Sequence, residues 1–190
     1  MTVSSKLIER ATRFQEVIDA CRFLLQSDPA AEEARVYLDN RLSKAAQERY
    51  GFGYFPADSD LKKLSSLVGK NLLQSLLLTY PKYTSGAAEP HGHFSRHNLV
   101  MPFRNIYGEV VSIVGRTLLS SESQKEQELQ KYKYSFGANK QLYLFGIDKA
   151  QEAIIASDFV ICVEGQFDCI ACHEHGIHNV VACGGADLLP

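Results

Sequence analysis

The sequence predicts an α/β fold, with a helical N-terminal subdomain that carries a β-hairpin and then the first βαβ unit of a parallel sheet. Three observations predict it. Apolar residues recur at three-and-four spacing near the start, at Leu7, Ile8, Ala11, Phe14, Val17, Ile18, Cys21 and Leu25, which is helical periodicity. The period then changes at LVMPF and EVVSIVGR, two apolar runs on either side of a Gly-centred turn at residues 105–108, the pattern of a hairpin. Last come DFVICVE, a helical stretch and NVVAC, whose strand, helix, strand order is that of a parallel crossover unit.

Taken in order, residues 4–26 form one amphipathic helix. Asp28 is placed as an N-cap with Pro29 at the first helical position, and a second helix runs to about Asn40. Residues 42–50 read as a short helix capped by Ser43 with Gln47 behind it, closed by Gly51 and Gly53. Residues 61–78 are again helical in pattern, while 81–95, with their Gly, Pro and His, read as a loop. After the hairpin, SSESQKEQELQK at 120–131 is polar enough for a solvated loop or a surface helix. A short aromatic strand or turn at 141–145 leads into a helix over 147–157. DFVICVE has the continuous apolar run of a strand buried on both faces of a parallel sheet. Phe167 to His175 is helical, Gly176 closes that helix, and NVVAC is a second buried strand.

A chain of 190 residues suits one ordinary domain or two small ones. Hydrophobic and charged fractions of 45% and 22% exclude a fibrous or wholly disordered chain. The net charge of −2 leaves any phosphate contact to a local cluster of Lys and Arg. MTVSSKLIER does not read as a secretory signal, and no apolar run approaches the roughly 20 residues of a membrane helix. A cytoplasmic location without membrane association is therefore expected. The five cysteines sit in apolar patterns and are expected as reduced thiols.

The segment that carries chemistry is Glu164-Gly165-Gln166-Phe167-Asp168, where a buried strand ends and a helix begins. Ligands gather at that edge of an open parallel sheet. Gly165 lets backbone or phosphate approach closely, and Asp168 lies one helical turn on, near the positive end of the helix. Two carboxylates there invite a hard divalent cation, Mg²⁺ or Mn²⁺, in preference to zinc. The plainer alternative is that Glu164 finishes a strand and Asp168 caps its own helix.

The same residues resemble the first motif of the Toprim fold, and the resemblance extends upstream. ARVYLDNRLSKAAQERYGFGYFP is similar to the YL-R-GLS...F-IG-AP segment of bacterial DnaG-type primases, without the Gly expected between Arg41 and Leu42. LVMPFRNIYGEVVSIVGRTL resembles that family's V-FPIRD--GRVIGFGGR-L strand pair, and KYKYS...KQLYLFG its PKYLNS...LYGL stretch. The blocks are collinear over about residues 31–186. GIHNVVACGGADL follows the second Toprim strand, with Gly184-Gly185-Ala186 in place of the usual Leu-Gly-Thr.

The resemblance implies a DNA primase catalytic core: an N-terminal helix at 1–30, a primase subdomain at 31–155 and the first half of a Toprim domain at 156–190. It further implies RNA primer synthesis on single-stranded DNA by metal-dependent nucleotidyl transfer during DNA replication. Glu164 matches the acidic residue that binds metal and moves a proton, and Asp168 its partner. Arg116, Lys131 and Arg104 match basic residues expected to hold template or nucleotide phosphates. Lys140 falls near a further family lysine in a register ambiguous by about two residues. Implied partners are single-stranded template, nucleoside triphosphates and a replicative helicase, the last through regions outside this chain.

No Asp-x-Asp follows the second strand of the unit, so the chain by itself is expected to be inactive; Asp58 and Asp60 form one, well ahead of the sheet. Two alternatives are a Toprim nuclease or topoisomerase, which should lack the FPIR-like and GGR-like blocks, and a non-catalytic nucleic-acid-binding or replisome-interaction fragment. Cys169-Ile-Ala-Cys172-His173 spells a haem attachment site, but helical placement favours core packing, and no haem is expected. Zinc at Cys169, Cys172, His173 and His175 is disfavoured because consecutive helical residues point apart. His91, His93 and His97 read as solvated loop histidines. Tyr80, Tyr83, Tyr107, Tyr132, Tyr134 and Tyr143 could stack on bases but serve more often as core or cross-strand partners.

Overall fold

The computed structural model describes residues 3–84, 87–138 and 143–184. These fall into two compact units, one of residues 1–102 with 112–136 and one of 103–111 with 137–190. No helix among the described residues is long and apolar enough to cross a membrane.

The first unit opens with α1 (Val3–Ser27), whose Phe14, Val17, Ile18 and Cys21 are fully buried. Each such side chain contributes roughly 1.5–3 kcal/mol of transfer free energy. Asp28 caps the 3-10 turn Pro29–Ala31 by accepting from the Ala30 amide at 3.0 Å, and α2 (Glu32–Asp39) follows. Ser43 caps α3 (Lys44–Tyr50), and Gly51 ends it in the left-handed region at φ 70°. Gln47 does not complete a capping box. It lies one residue too far into the helix, and its amide donates instead to Asp39 and to the Leu42 carbonyl.

β1 (Gly53–Tyr54) runs close under α1, where a Cβ on Gly53 would lie 2.6 Å from that of Cys21. The helical stretch expected over 61–78 is two helices, α4 (Leu61–Val68) and α5 (Lys70–Ser75), broken at Gly69 with φ 84°.

The loop expected at 81–95 is instead largely an antiparallel ribbon of β2 (Thr79–Thr84) and β3 (Ala87–Gly92). Pro81 and Pro90, which argued for a loop, face each other directly in its register. At a non-hydrogen-bonded pair both backbone nitrogens point outward, so two opposed prolines cost the ribbon no ladder bond.

β4 (Leu99–Arg104) and β5 (Val110–Arg116) are neighbours in a four-stranded sheet of order β1-β4-β5-β6, with β6 at Tyr132–Tyr134. α6 (Ser121–Glu126) is the surface helix of the polar run. His93 and His97 are not solvated: they are 4% and 3% exposed. Their Nε2 atoms donate to the Tyr134 and Gln130 carbonyls, each at 2.8 Å, and so anchor the segment that carries Lys131 and Tyr132.

Burial pushes His93 down to about 4 and lowers His97 as well, despite those hydrogen bonds. The unfolded chain, with His near 6.5, therefore binds more protons than the folded one between these values. Stability should fall as pH drops from about 6.5 toward 4. The His93 share is about 2 kcal/mol between pH 7 and pH 5. Urea midpoints at the two pH values measure it, and His93→Gln should flatten the dependence; an unchanged slope would assign the acid sensitivity elsewhere.

In the second unit, α7 (Ile147–Ser157) and α8 (Gln166–Glu174) both pack on β8 (Val180–Ala182), which pairs in parallel with β7 (Ile161–Val163). β8 is buried throughout, with Phe145 bridging it as an isolated antiparallel partner. β7 is not buried on both faces as its apolar run suggested: Ile161 is 37% exposed, and Cys162 is exposed too. The physical reason is position, since β8 is its one strand partner among the described residues. Cys169 is fully buried, burial pushes its thiol up to about 12, and it donates to the Val180 carbonyl at 3.4 Å. This is a packing role.

Candidate functional site

In the first unit the end of β5 sets Arg116 directly opposite Tyr132 of β6. Nη1 of Arg116 donates to the Tyr132 hydroxyl at 2.6 Å. Its guanidinium carbon lies 5.2 Å from the centre of that ring and 5.0 Å from the ring of Tyr37 on α2. On Tyr37 it is joined by Arg41, at 4.7 Å, while Lys131 Nζ lies 5.7 Å from the Tyr132 ring. Arg41, Tyr37, Arg116, Tyr132 and Lys131 thus alternate cation and ring.

Each cation–ring contact is worth roughly 0.5–2 kcal/mol, more where water is excluded, and Arg116 is only 9% exposed. Burial pushes the Tyr37 phenol up, while Arg116 and Arg41 pull it back. Arg41 and Lys131 are exposed and form no ion pair among the described residues. Positive charges held close on aromatic supports favour a shared anion, and a guanidinium fork matches phosphate oxygens.

Gly115 permits this arrangement. A Cβ there would lie 2.4 Å from Phe94 Cδ1, 2.8 Å from the His97 carbonyl oxygen and 2.9 Å from His97 Cβ.

The other expected cations are placed differently. Arg104, in the second unit, donates through Nη1 to the Gly108 carbonyl at 2.7 Å and closes its own turn. Lys140 lies outside the described residues.

Glu164 follows β7 in the second unit with its side chain exposed. Its carbonyl accepts from the Gly184 amide at 3.0 Å, which ties the end of β7 to the chain leaving β8. Asp168 is exposed in the first turn of α8. Its carboxylate folds back over Gly165, where a Cβ would come 2.6 Å from Oδ2. The glycine is the space that lets Asp168 approach the backbone beside Glu164. Among the described residues no group of three or more His, Cys, Asp or Glu gathers as a metal site.

Tyr37 and Arg41 were not singled out from the sequence. Their signal was spacing: four residues apart in ARVYLDNR, they share a face at the end of α2. Tyr132 stands in the sequence as one aromatic among several.

Helices packed on an antiparallel sheet, followed by a βαβ unit with a carboxylate just past its first strand, are the mixed α/β fold seen in solved catalytic cores of primases. A family model described as "DNA primase catalytic core, N-terminal domain" matches residues 22–151. The chain belongs to that family. It is 32% identical over 174 residues to a DNA primase of Synechocystis sp., an alignment covering 84% of this chain and 25% of that protein. Its fold superposes on the RNA polymerase domain of Mycobacterium tuberculosis primase DnaG with a TM-score of 0.75 and 28% identity, over 100% of this chain and 60% of that one. The same domain in complex with a double-stranded DNA oligomer with a 6-nucleotide overhang gives a TM-score of 0.72 and 29% identity, over 96% of this chain and 55% of that one. The chain spans about a quarter of the length of the curated relatives it matches.

Proposed function

We propose that this chain is the template-holding part of a DNA primase core, and that the whole protein makes short RNA primers on single-stranded DNA. The observation that carries the reading is the alternating stack of Arg41, Tyr37, Arg116, Tyr132 and Lys131. Cations set in a row, held in place by the rings between them, suit the phosphates of a single strand. The DNA complex of the mycobacterial relative supports it.

Glu164 and Asp168 are the proposed catalytic pair, with Glu164 the principal metal ligand. Their exposed oxygens and the space at Gly165 fit Mg²⁺ or Mn²⁺, which accept carboxylates and retain several waters. Such an ion supplies charge stabilisation to the attacking and leaving oxygens of nucleotidyl transfer. Glu164 would orient the nucleotide and take up the proton of the attacking 3′-hydroxyl; Arg116 and Lys131 would hold template or nucleotide phosphates. Arg104 and Lys140 are proposed as further phosphate contacts. Nucleoside triphosphates are the proposed substrates, and a replicative helicase the proposed partner through regions outside this chain.

The test is templated RNA synthesis by a protein carrying this chain at the full length of its relatives, with single-stranded DNA, nucleoside triphosphates and Mg²⁺ or Mn²⁺. Short RNA products are expected. Their absence, with single-strand binding intact, would overturn the enzymatic reading in favour of a binding fragment.

A further inference from the structure

A cavity of about 290 Å³ opens in the first unit between the start of α2, the end of β1 and the segment after β5. It lies at the lower end of the ~300–1,000 Å³ of small-ligand sites, with room for a single base. Ala34, Leu118 and Leu119 give it apolar walls, and its polar lining includes Glu33, Tyr54 and Arg96 beside Asn98, Thr117 and Gln127. Tyr54 is 7% exposed, and its hydroxyl has no hydrogen bond among the described residues. Glu33 is exposed and forms no ion pair among them. The Arg96 guanidinium is met by the amide oxygen of Gln127, also at the cavity.

The cavity adjoins the cation–ring stack along two elements. Glu33 precedes Tyr37 by one turn of α2, and Thr117, another lining residue, follows Arg116 directly. A strand whose phosphates lie on the stack would bring its bases to this opening.

We propose that the cavity takes an unstacked guanine from such a strand, an inference that rests on the single-strand reading above. Guanine is the base whose N1–H and N2–H₂ donors stand side by side for one carboxylate, here Glu33. Its O6 and N7 form the adjacent acceptor pair that suits a guanidinium fork, here Arg96. Adenine and cytosine each offer a single amino group to a carboxylate, and thymine a single ring N–H. The apolar walls cover the faces of the base, and the Tyr54 hydroxyl supplies one further polar contact. The site would therefore make template affinity sequence-dependent at one position without a base-paired partner.

The experiment is fluorescence anisotropy of this chain with an oligo(dT) of about twelve nucleotides, against the same strand with one central dG, dA or dC. The dG strand is expected to bind roughly five- to tenfold tighter than the other three, the scale of a good bidentate contact. Glu33→Gln, on the surface, should erase that preference and leave oligo(dT) binding as it was. GMP alone should bind at least about tenfold more weakly than the dG strand, because it lacks the neighbouring phosphates. Equal affinity for all four strands, or a dG preference surviving Glu33→Gln, would overturn the guanine site. GMP binding as tightly as the dG strand would overturn presentation by a strand. Failure of oligo(dT) itself to bind would overturn the underlying function instead.

Discussion

Glu164→Gln is expected to lower templated RNA synthesis by at least about 100-fold, the scale of a lost proton-transfer group, in a protein carrying this chain at the full length of its relatives. Single-strand affinity should be unchanged. Glutamine keeps the size of the side chain and removes both its charge and its basicity, so a metal ligand and a proton acceptor are lost together. The side chain is exposed at the end of β7, and what ties it locally is its backbone carbonyl, which holds Gly184; the substitution leaves that bond in place. The fold should therefore survive. Primer yields against template and metal concentration separate the effects, and retained synthesis at saturating Mg²⁺ would remove Glu164 from the mechanism.

Gly115→Ala should destabilise the first unit by about 3 kcal/mol, the upper part of the usual cost of over-packing. One of the clashing atoms is the His97 carbonyl oxygen, at 2.8 Å from the added carbon. Backbone cannot rotate away as a side-chain tip can. Phe94, at 2.4 Å, is fully buried and packed edge-on against Phe55 with 5.6 Å between ring centres, so it has little room either. Because His97 anchors the Gln130 carbonyl, the strain would also reach Lys131. Urea unfolding should show the loss, and single-strand binding should weaken even where the protein remains folded. A midpoint within error of the parent would mean that the 93–97 turn yields more easily than its packing implies.

Elements whose periodicity and caps agree were legible in the sequence. α1, the Asp28 and Ser43 caps, the β4–β5 pair and the βαβ unit all stand near their expected places. The β2–β3 ribbon was hidden because prolines mark loops only when their nitrogens are needed, and that depends on pairing which composition does not encode. The exposure of β7 was hidden for a related reason, since an apolar run records what a strand can bury and not what lies over it. His93 and His97 looked like loop residues, yet carbonyls from β6 and its approach give each a partner in the interior.

Motif and resemblance propose Glu164, Asp168, Arg116 and Lys131, and of these Arg116 and Lys131 both lie against the Tyr132 ring. Tyr37 and Arg41 became visible only when α2 was set against the end of β5, a long-range contact that no local pattern announces. Arg104 shows the opposite case, a cation in a matching block that is engaged in closing its own turn.

Salt dependence of oligo(dT) binding, read by anisotropy between about 50 and 200 mM salt, tests most directly whether the cation–ring face holds a nucleic-acid backbone. Phosphates held by Arg41, Arg116 and Lys131 predict a log–log slope of about −2, at ~0.7 per phosphate on a single strand. Arg41→Ala, at an exposed position, should weaken binding and make the slope shallower by about 0.7. A slope near zero, or one that Arg41→Ala and Arg116→Ala both leave unchanged, would contradict it.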